Sequence, residues 1–194
     1  MFYETRDCIT SNKLFLNVTL ESVNSVTHSF YVMEKYIIPA LTRIGHIHLK
    51  VSDIKKSLAF YCDLLGFELI TMYGTDAAFI SAGGYHHHIG LNTWYSKNAL
   101  PAPIHSAGLF HTAILFPTRR DLAFIYKRLS DARYPFTGAS DHGVSEALYL
   151  DDPDQNGVEL YWDRPKEEWP KNPDGSLTMF SHHLDLDGLL EELY

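Results

Sequence analysis

The sequence predicts an α+β fold of two paired βαβββ modules whose strands form an open, cup-shaped sheet. Two observations carry this. A strand, a helix and three short strand candidates occur in that order over residues 41–100 and again over 101–163, and each copy opens on a strand bearing a histidine near its start. A unit of that size has one apolar sheet face to bury, so two copies should pair and leave a cup between their sheets.

In the first module, residues 44–51 alternate with the period of a strand, placing Ile47, Leu49 and Val51 on one face and His46 and His48 on the other. Ser52 or Asp53 offers an N-cap to a helix over 54–65, whose apolar positions Leu58, Tyr61, Leu64 and Leu65 recur at helical spacing before Gly66 supplies a stop. Residues 67–72, 77–82 and 87–93 follow as strands, separated by turn residues such as Gly74, Gly83 and Gly84.

Pro101 and Pro103 separate the modules. The second opens with a strand over 109–116, then a helix started by Thr118 or Asp121 with Leu122, Ile125, Tyr126 and Leu129 on its apolar face. Strands over 134–136, 147–150 and 157–162 complete it, the last two joined by a tight turn over 151–157. Residues 1–40 form an N-terminal extension of mixed pattern, with a strand-like run over 13–20. Residues 164–194 form a proline-bearing tail that wraps the modules and ends in a short acidic helix near 187–194.

The 45% hydrophobic content is enough to fill a core for 194 residues. A formal charge of -8 without a local Lys/Arg cluster argues against nucleic acid as a partner and for a small molecule. Cys8 and Cys62 are the only cysteines, too few for a disulfide framework or a thiolate zinc site. With no apolar run of membrane-spanning length and no secretory pattern, no membrane partner and a cytoplasmic location are the default expectations.

His46 and His111 hold equivalent places in their modules, and Glu159 lies in the closing strand of the second. Alternation turns Phe110, Thr112, Ile114 and Phe116 away from His111, and Val158, Leu160 and Trp162 away from Glu159, so the polar groups face the cup. One histidine among 11 is more often a satisfied core or surface group than a ligand. Two imidazoles and a carboxylate in repeat-related positions are a different matter. Such a set leaves coordination positions open, as non-haem Fe(II) enzymes require.

These stretches carry a resemblance. Gly45-His46-Ile47-His48-Leu49-Lys50-Val51-Ser52-Asp53 with Phe60-Tyr61-Cys62-Asp63-Leu64-Leu65-Gly66-Phe67, the repeated Phe110-His111-Thr112-Ala113, and Asn156-Gly157-Val158-Glu159-Leu160-Tyr161 resemble the vicinal oxygen chelate superfamily. His86-His87-His88-Ile89-Gly90-Leu91 and Asp141-His142-Gly143-Val144-Ser145 with Tyr149 resemble its type I extradiol dioxygenases, of the catechol 2,3-dioxygenase kind. The resemblance implies that His46, His111 and Glu159 bind Fe(II), with Mn(II) the other ion that fits. It implies that His87 is the acid–base residue and that His142 and Tyr149 contact a small aromatic diol attacked by O2. His48 is expected to orient substrate or oxygen from behind the ligands. A homo-oligomer is expected.

Strict alternation from Gly90 puts His86 and His88 on the cup side, so His87 needs an irregular strand to point inward, and all three stay open here. Gly90 stands where a glyoxalase would carry a fourth, glutamate ligand. The alternatives are another enzyme of the superfamily, a Mn-dependent thiol transferase or a glyoxalase-like protein, and a metal-free protein that binds an aromatic ligand.

Overall fold

A computed structural model describes residues 35–194 of the chain, so the strand-like run over 13–20 and Cys8 lie outside the described residues. The first sheet holds β1 (Ile47–Lys50), β2 (Glu68–Tyr73), β3 (Ala77–Ser81) and β4 (Ile89–Asn92) in the order β1-β4-β3-β2, with β1 parallel to β4 and the other pairs antiparallel. The second sheet repeats this with β5 (His111–Leu115), β6 (Gly138–Asp141), β7 (Ser145–Asp151) and β8 (Gly157–Asp163), in the order β5-β8-β7-β6. A short β9 (His182–His183) from the tail adds a fifth strand beside β6. Both sheets are open rather than closed barrels, which makes the fold α+β.

The helix of the first module starts as expected, with Asp53 accepting from the amides of Lys55 and Lys56. It does not continue as a regular helix. After α1 (Ile54–Leu58) the chain widens into a π-helical segment, Ala59–Leu64, and Gly66 ends it at φ +92°. On this segment the adjacent aromatics Phe60 and Tyr61 are both buried. Helix α2 (Arg119–Asp131) is capped by Thr118, whose side chain accepts from the Asp121 amide, and it buries Leu122, Ile125 and Leu129. The tail contributes α3 (Leu186–Leu190) and a following 3-10 turn.

The strand expected over 134–136 is not formed. Pro135 has no N–H for a ladder, and Tyr134 and Phe136 pack on the core from a loop, with the Tyr134 hydroxyl donating to the Asp151 carbonyl at 2.7 Å; β6 begins only at Gly138. Phe110 also departs from the expected pattern, being 88% exposed where alternation predicts burial, because β5 begins one residue later. Along β1 and β8 alternation holds: Leu49 with the following Val51, and Val158 with Leu160, are buried in one apolar core fed by both modules.

Three contacts tie the modules. The Tyr61 hydroxyl donates to Asp152 Oδ2 at 3.0 Å, the Ser52 amide to Asp154 Oδ2 at 3.0 Å, and Arg128 to the carbonyls of Asp63 and Leu64. Two of them grip the turn that leads into β8. Asp152 is buried at its centre, also accepting from Asn156 and from the Asp154 amide.

Candidate metal centre

The strand register of the second sheet brings one group of polar side chains together. In β5–β8 pairing His111 lies beside Gly157 and Ala113 beside Glu159; in β7–β8 pairing Tyr149 lies opposite Glu159. Side chains two residues apart on one strand share a face. His111, Glu159 and Tyr149 therefore converge. His111 Nε2 is 2.9 Å from Glu159 Oε2, and the Tyr149 hydroxyl is 3.0 Å from Glu159 Oε1 and 2.7 Å from His142 Nε2. Val158 and Leu160 point the other way into the core, which leaves Glu159 only 13% exposed. Burial, and then the negative charge and hydrogen bond of Glu159, raise the Tyr149 phenol far above its ordinary range.

A second group of side chains gathers on the first sheet. His46, one residue before β1, packs against His87 with ring centroids 4.4 Å apart, and His87 packs edge-on against Phe79 at 5.0 Å. The three neighbouring histidines have different surroundings. Because β4 starts only at Ile89, His87 lies ahead of the regular strand and reaches His46, while His88 Nδ1 bonds Ser81 Oγ at 2.9 Å. His86 Nδ1 lies 2.7 Å from His87 Nδ1. Burial, then the neighbouring His46, lower the pKa of both His87 and His48, which favours neutral imidazoles.

His48 lies between Phe79 and Trp94, with centroids 5.9 and 5.6 Å away. It is paired in register with Gly90, and a Cβ at position 90 would come within 2.9 Å of its ring. His48 thus covers the place that a fourth ligand from position 90 would need.

The three expected metal ligands are not all brought together. Among the described residues no three His, Cys, Asp or Glu side chains gather as a metal cluster; His111 and Glu159 converge, and His46 sits with His87. The convergent pair suits a divalent ion. Two donors held about 2.1 Å from one ion at a right angle stand about 3 Å apart, the separation of Nε2 and Oε2 here. His111 Nδ1 is buried with no partner among the described residues.

Sequence reasoning missed Phe79 and Trp94 as neighbours of the histidines, the Tyr61–Asp152 contact, and Phe180, whose carbonyl meets His142 Nδ1 at 2.9 Å. Asp152 in its Asp-Pro-Asp turn carried a local signal. Phe180 carried none, because its approach depends on the docking of the tail.

Comparison with known proteins agrees with this architecture. Residues 43–160 match the model of the glyoxalase/bleomycin resistance protein/dioxygenase superfamily. A catechol-2,3-dioxygenase of Bacillus subtilis (strain 168) is 38% identical over 152 residues, covering 78% of this chain and 52% of the relative. A biphenyl-2,3-diol 1,2-dioxygenase 3 of Rhodococcus globerulus is 32% identical over 122 residues, covering 62% of this chain and 63% of the relative. The chain thus spans about half to under two thirds of the length of these relatives. Among solved structures, a glyoxalase/dioxygenase from Nostoc punctiforme superposes with TM-score 0.56 at 19% identity, covering 74% of this chain and all of the other. A superfamily protein from Alicyclobacillus acidocaldarius superposes with TM-score 0.52 at 17% identity, covering 65% of this chain and 95% of the other. At such identities these structures speak for the fold alone.

Proposed function

Because the chain belongs to the glyoxalase/bleomycin resistance protein/dioxygenase superfamily, we propose that it is a metal-dependent extradiol dioxygenase that opens the ring of a catechol-like substrate with O2. The observation that carries this reading is the unbroken run of contacts His111–Glu159–Tyr149–His142, which joins a nitrogen–oxygen donor pair to two groups able to hold a substrate oxygen. The relatives named as catechol and biphenyl-diol dioxygenases support the same class of substrate.

In this reading His111 Nε2 and Glu159 Oε2 hold the ion, with His46 as third donor, and Fe(II) is the ion proposed. When bound, such an ion supplies Lewis acidity toward the diol and an open position for O2. The chain's own groups do the rest. His87, whose pKa is lowered by burial and by its histidine neighbours, accepts a proton from a diol hydroxyl at a ring nitrogen and can return it later. Tyr149 and His142 orient the substrate and offer hydrogen bonds where negative charge develops. His48, with Phe79 and Trp94, walls the site on the first sheet.

The test is to load the protein with Fe(II) under nitrogen, add catechol or 2,3-dihydroxybiphenyl, and admit air. A yellow ring-opened semialdehyde with matching O2 uptake is expected; no uptake for any diol with reduced iron bound would overturn the reading. The separation of His46 from the donor pair is what favours the second reading, a metal-free protein that binds an aromatic ligand. Under that reading Glu159→Ala leaves diol affinity unchanged.

A further inference from the structure

We propose that Asp154, on the turn into β8, is a positioning residue for the metal centre: by accepting the Ser52 amide across the module boundary it sets where the His46 strand stands against the Glu159 strand. The proposal deepens the metal-centre reading above and rests on His46 serving as the third donor.

The donor pair His111 and Glu159 is fixed within the second sheet by the β5–β8 register. His46 precedes β1 on the first sheet, so its distance from that pair depends on how the two modules sit together. Asp154 Oδ2 accepts from the Ser52 amide at 3.0 Å, just after the end of β1 and just before the start of β8, which makes the contact a direct link between the two ligand-bearing strands. Each partner is held stiffly to its own strand. The β1–β4 ladder runs on past Lys50, with the Val51 amide donating to the Asn92 carbonyl at 2.8 Å. The Ser96 hydroxyl and the Asn98 amide donate to the carbonyls of Val51 and Ser52, each at 2.9 Å. On the other side buried Asp152 folds the turn around its carboxylate, accepting from the amides of Asp154 and Asn156 at 2.8 and 2.9 Å, with the restricted backbone of Pro153 between. The Tyr61–Asp152 hydrogen bond at 3.0 Å anchors the same turn to the first module a second time. A shift of Ser52 or Asp154 therefore carries its strand with it.

The internal repeat shows that the link is not a general need of the fold. The place of Ser52 in the second module, one residue before the helix N-cap, is held by Pro117, which has no N–H to donate. The first-module turn that corresponds to residues 152–156 is 82–87, and it contains no carboxylate. In register, Gly90 holds in the first sheet the place that Glu159 holds in the second. The link is thus built at the turn that delivers the ligand carboxylate, and it has no counterpart at the turn that delivers a glycine.

The test separates placement of His46 from general loosening. In anaerobic Fe(II) titrations of the full chain, Asp154→Ala and Ser52→Pro, the latter copying Pro117, should bind about fivefold more weakly than the parent. Asp154→Asn, which keeps an oxygen acceptor, should bind within about twofold of the parent. In a His46→Ala background Asp154→Ala should cost nothing further, because no third donor is left to place. In the metal-free protein the Ser52 amide should exchange with solvent faster in Asp154→Ala than in the parent or in Asp154→Asn. Parent-like affinity in Asp154→Ala while His46→Ala binds weakly overturns the proposal alone. So does a loss undiminished by His46→Ala, or a Ser52 exchange rate unmoved by Asp154→Ala. Unchanged affinity in His46→Ala overturns the reading of the centre, and the proposal with it.

Discussion

At the scale of single residues, the second sheet holds a donor pair already in contact, and burial lowers the pKa of His48 and His87 and raises that of Tyr149. Glu159 sits between buried Val158 and Leu160, so its charge needs a partner. A divalent ion or a hydrogen bond from His111 can serve. Glu159→Ala is expected to lower Fe(II) affinity at least tenfold, read by anaerobic titration, with far-UV dichroism unchanged. Proton linkage at His48 and His87 gives a second expectation. Both have folded pKa values below the ordinary imidazole value, by burial first and His46 next, so the unfolded chain binds protons more readily. Stability should therefore be complete above the ordinary imidazole pKa and fall as pH drops through it toward the lowered values. Urea midpoints measured from about pH 7.5 to about pH 5 should decline, and the slope should lessen in a His48→Gln, His87→Gln double variant.

Among the secondary-structure elements, the turn into β8 and the pairing of β8 with β5 decide where the donors stand. Tyr61 on the π-helical segment donates to buried Asp152 at 3.0 Å, across the module boundary. Tyr61→Phe should cost about 2 kcal/mol in chemical denaturation, the usual worth of a buried hydrogen bond to a carboxylate. Gly157 lies beside His111 in the β5–β8 register, and a Cβ there would collide with the Phe110 carbonyl. Gly157→Ala should therefore destabilise by about 1–3 kcal/mol and weaken metal binding by shifting His111 against Glu159.

This is also the scale at which legibility in the sequence divides. Strands β1, β5 and β8 were readable because one face of each is buried, so residues such as Leu49, Ile114 and Leu160 alternate with His48, Ala113 and Glu159. That alternation placed Glu159 on the His111 side without any knowledge of the fold. Where burial comes from something other than regular period, the reading failed. Tyr134 and Phe136 pack from a loop around Pro135, Phe60 is buried on a π-helical segment, and β9 exists only because the tail docks. His87 escaped strict alternation for the same reason, lying just outside a regular strand.

Over the whole molecule, one ion-pair network links the second module to the tail. Buried Glu146 accepts from Arg119 Nε at 2.7 Å and Arg164 Nη2 at 2.6 Å; Arg119 also reaches the Gly188 carbonyl and Glu192, and Arg164 reaches Asp141. Removing the central carboxylate leaves two cations facing each other in a partly buried place. Glu146→Ala should cost about 3 kcal/mol of stability in a urea titration and loosen the tail along with it. The donor pair lies on one sheet and His46 beside the other, and in the proposed reading a bound ion would have to join them.

The most direct measurement is an anaerobic Fe(II) titration of the full-length protein beside its His46→Ala, His111→Ala and Glu159→Ala variants. One Fe(II) per chain, with affinity lost at least tenfold in each variant, is the predicted result. Iron bound equally well after loss of Glu159 or of His111 would contradict it.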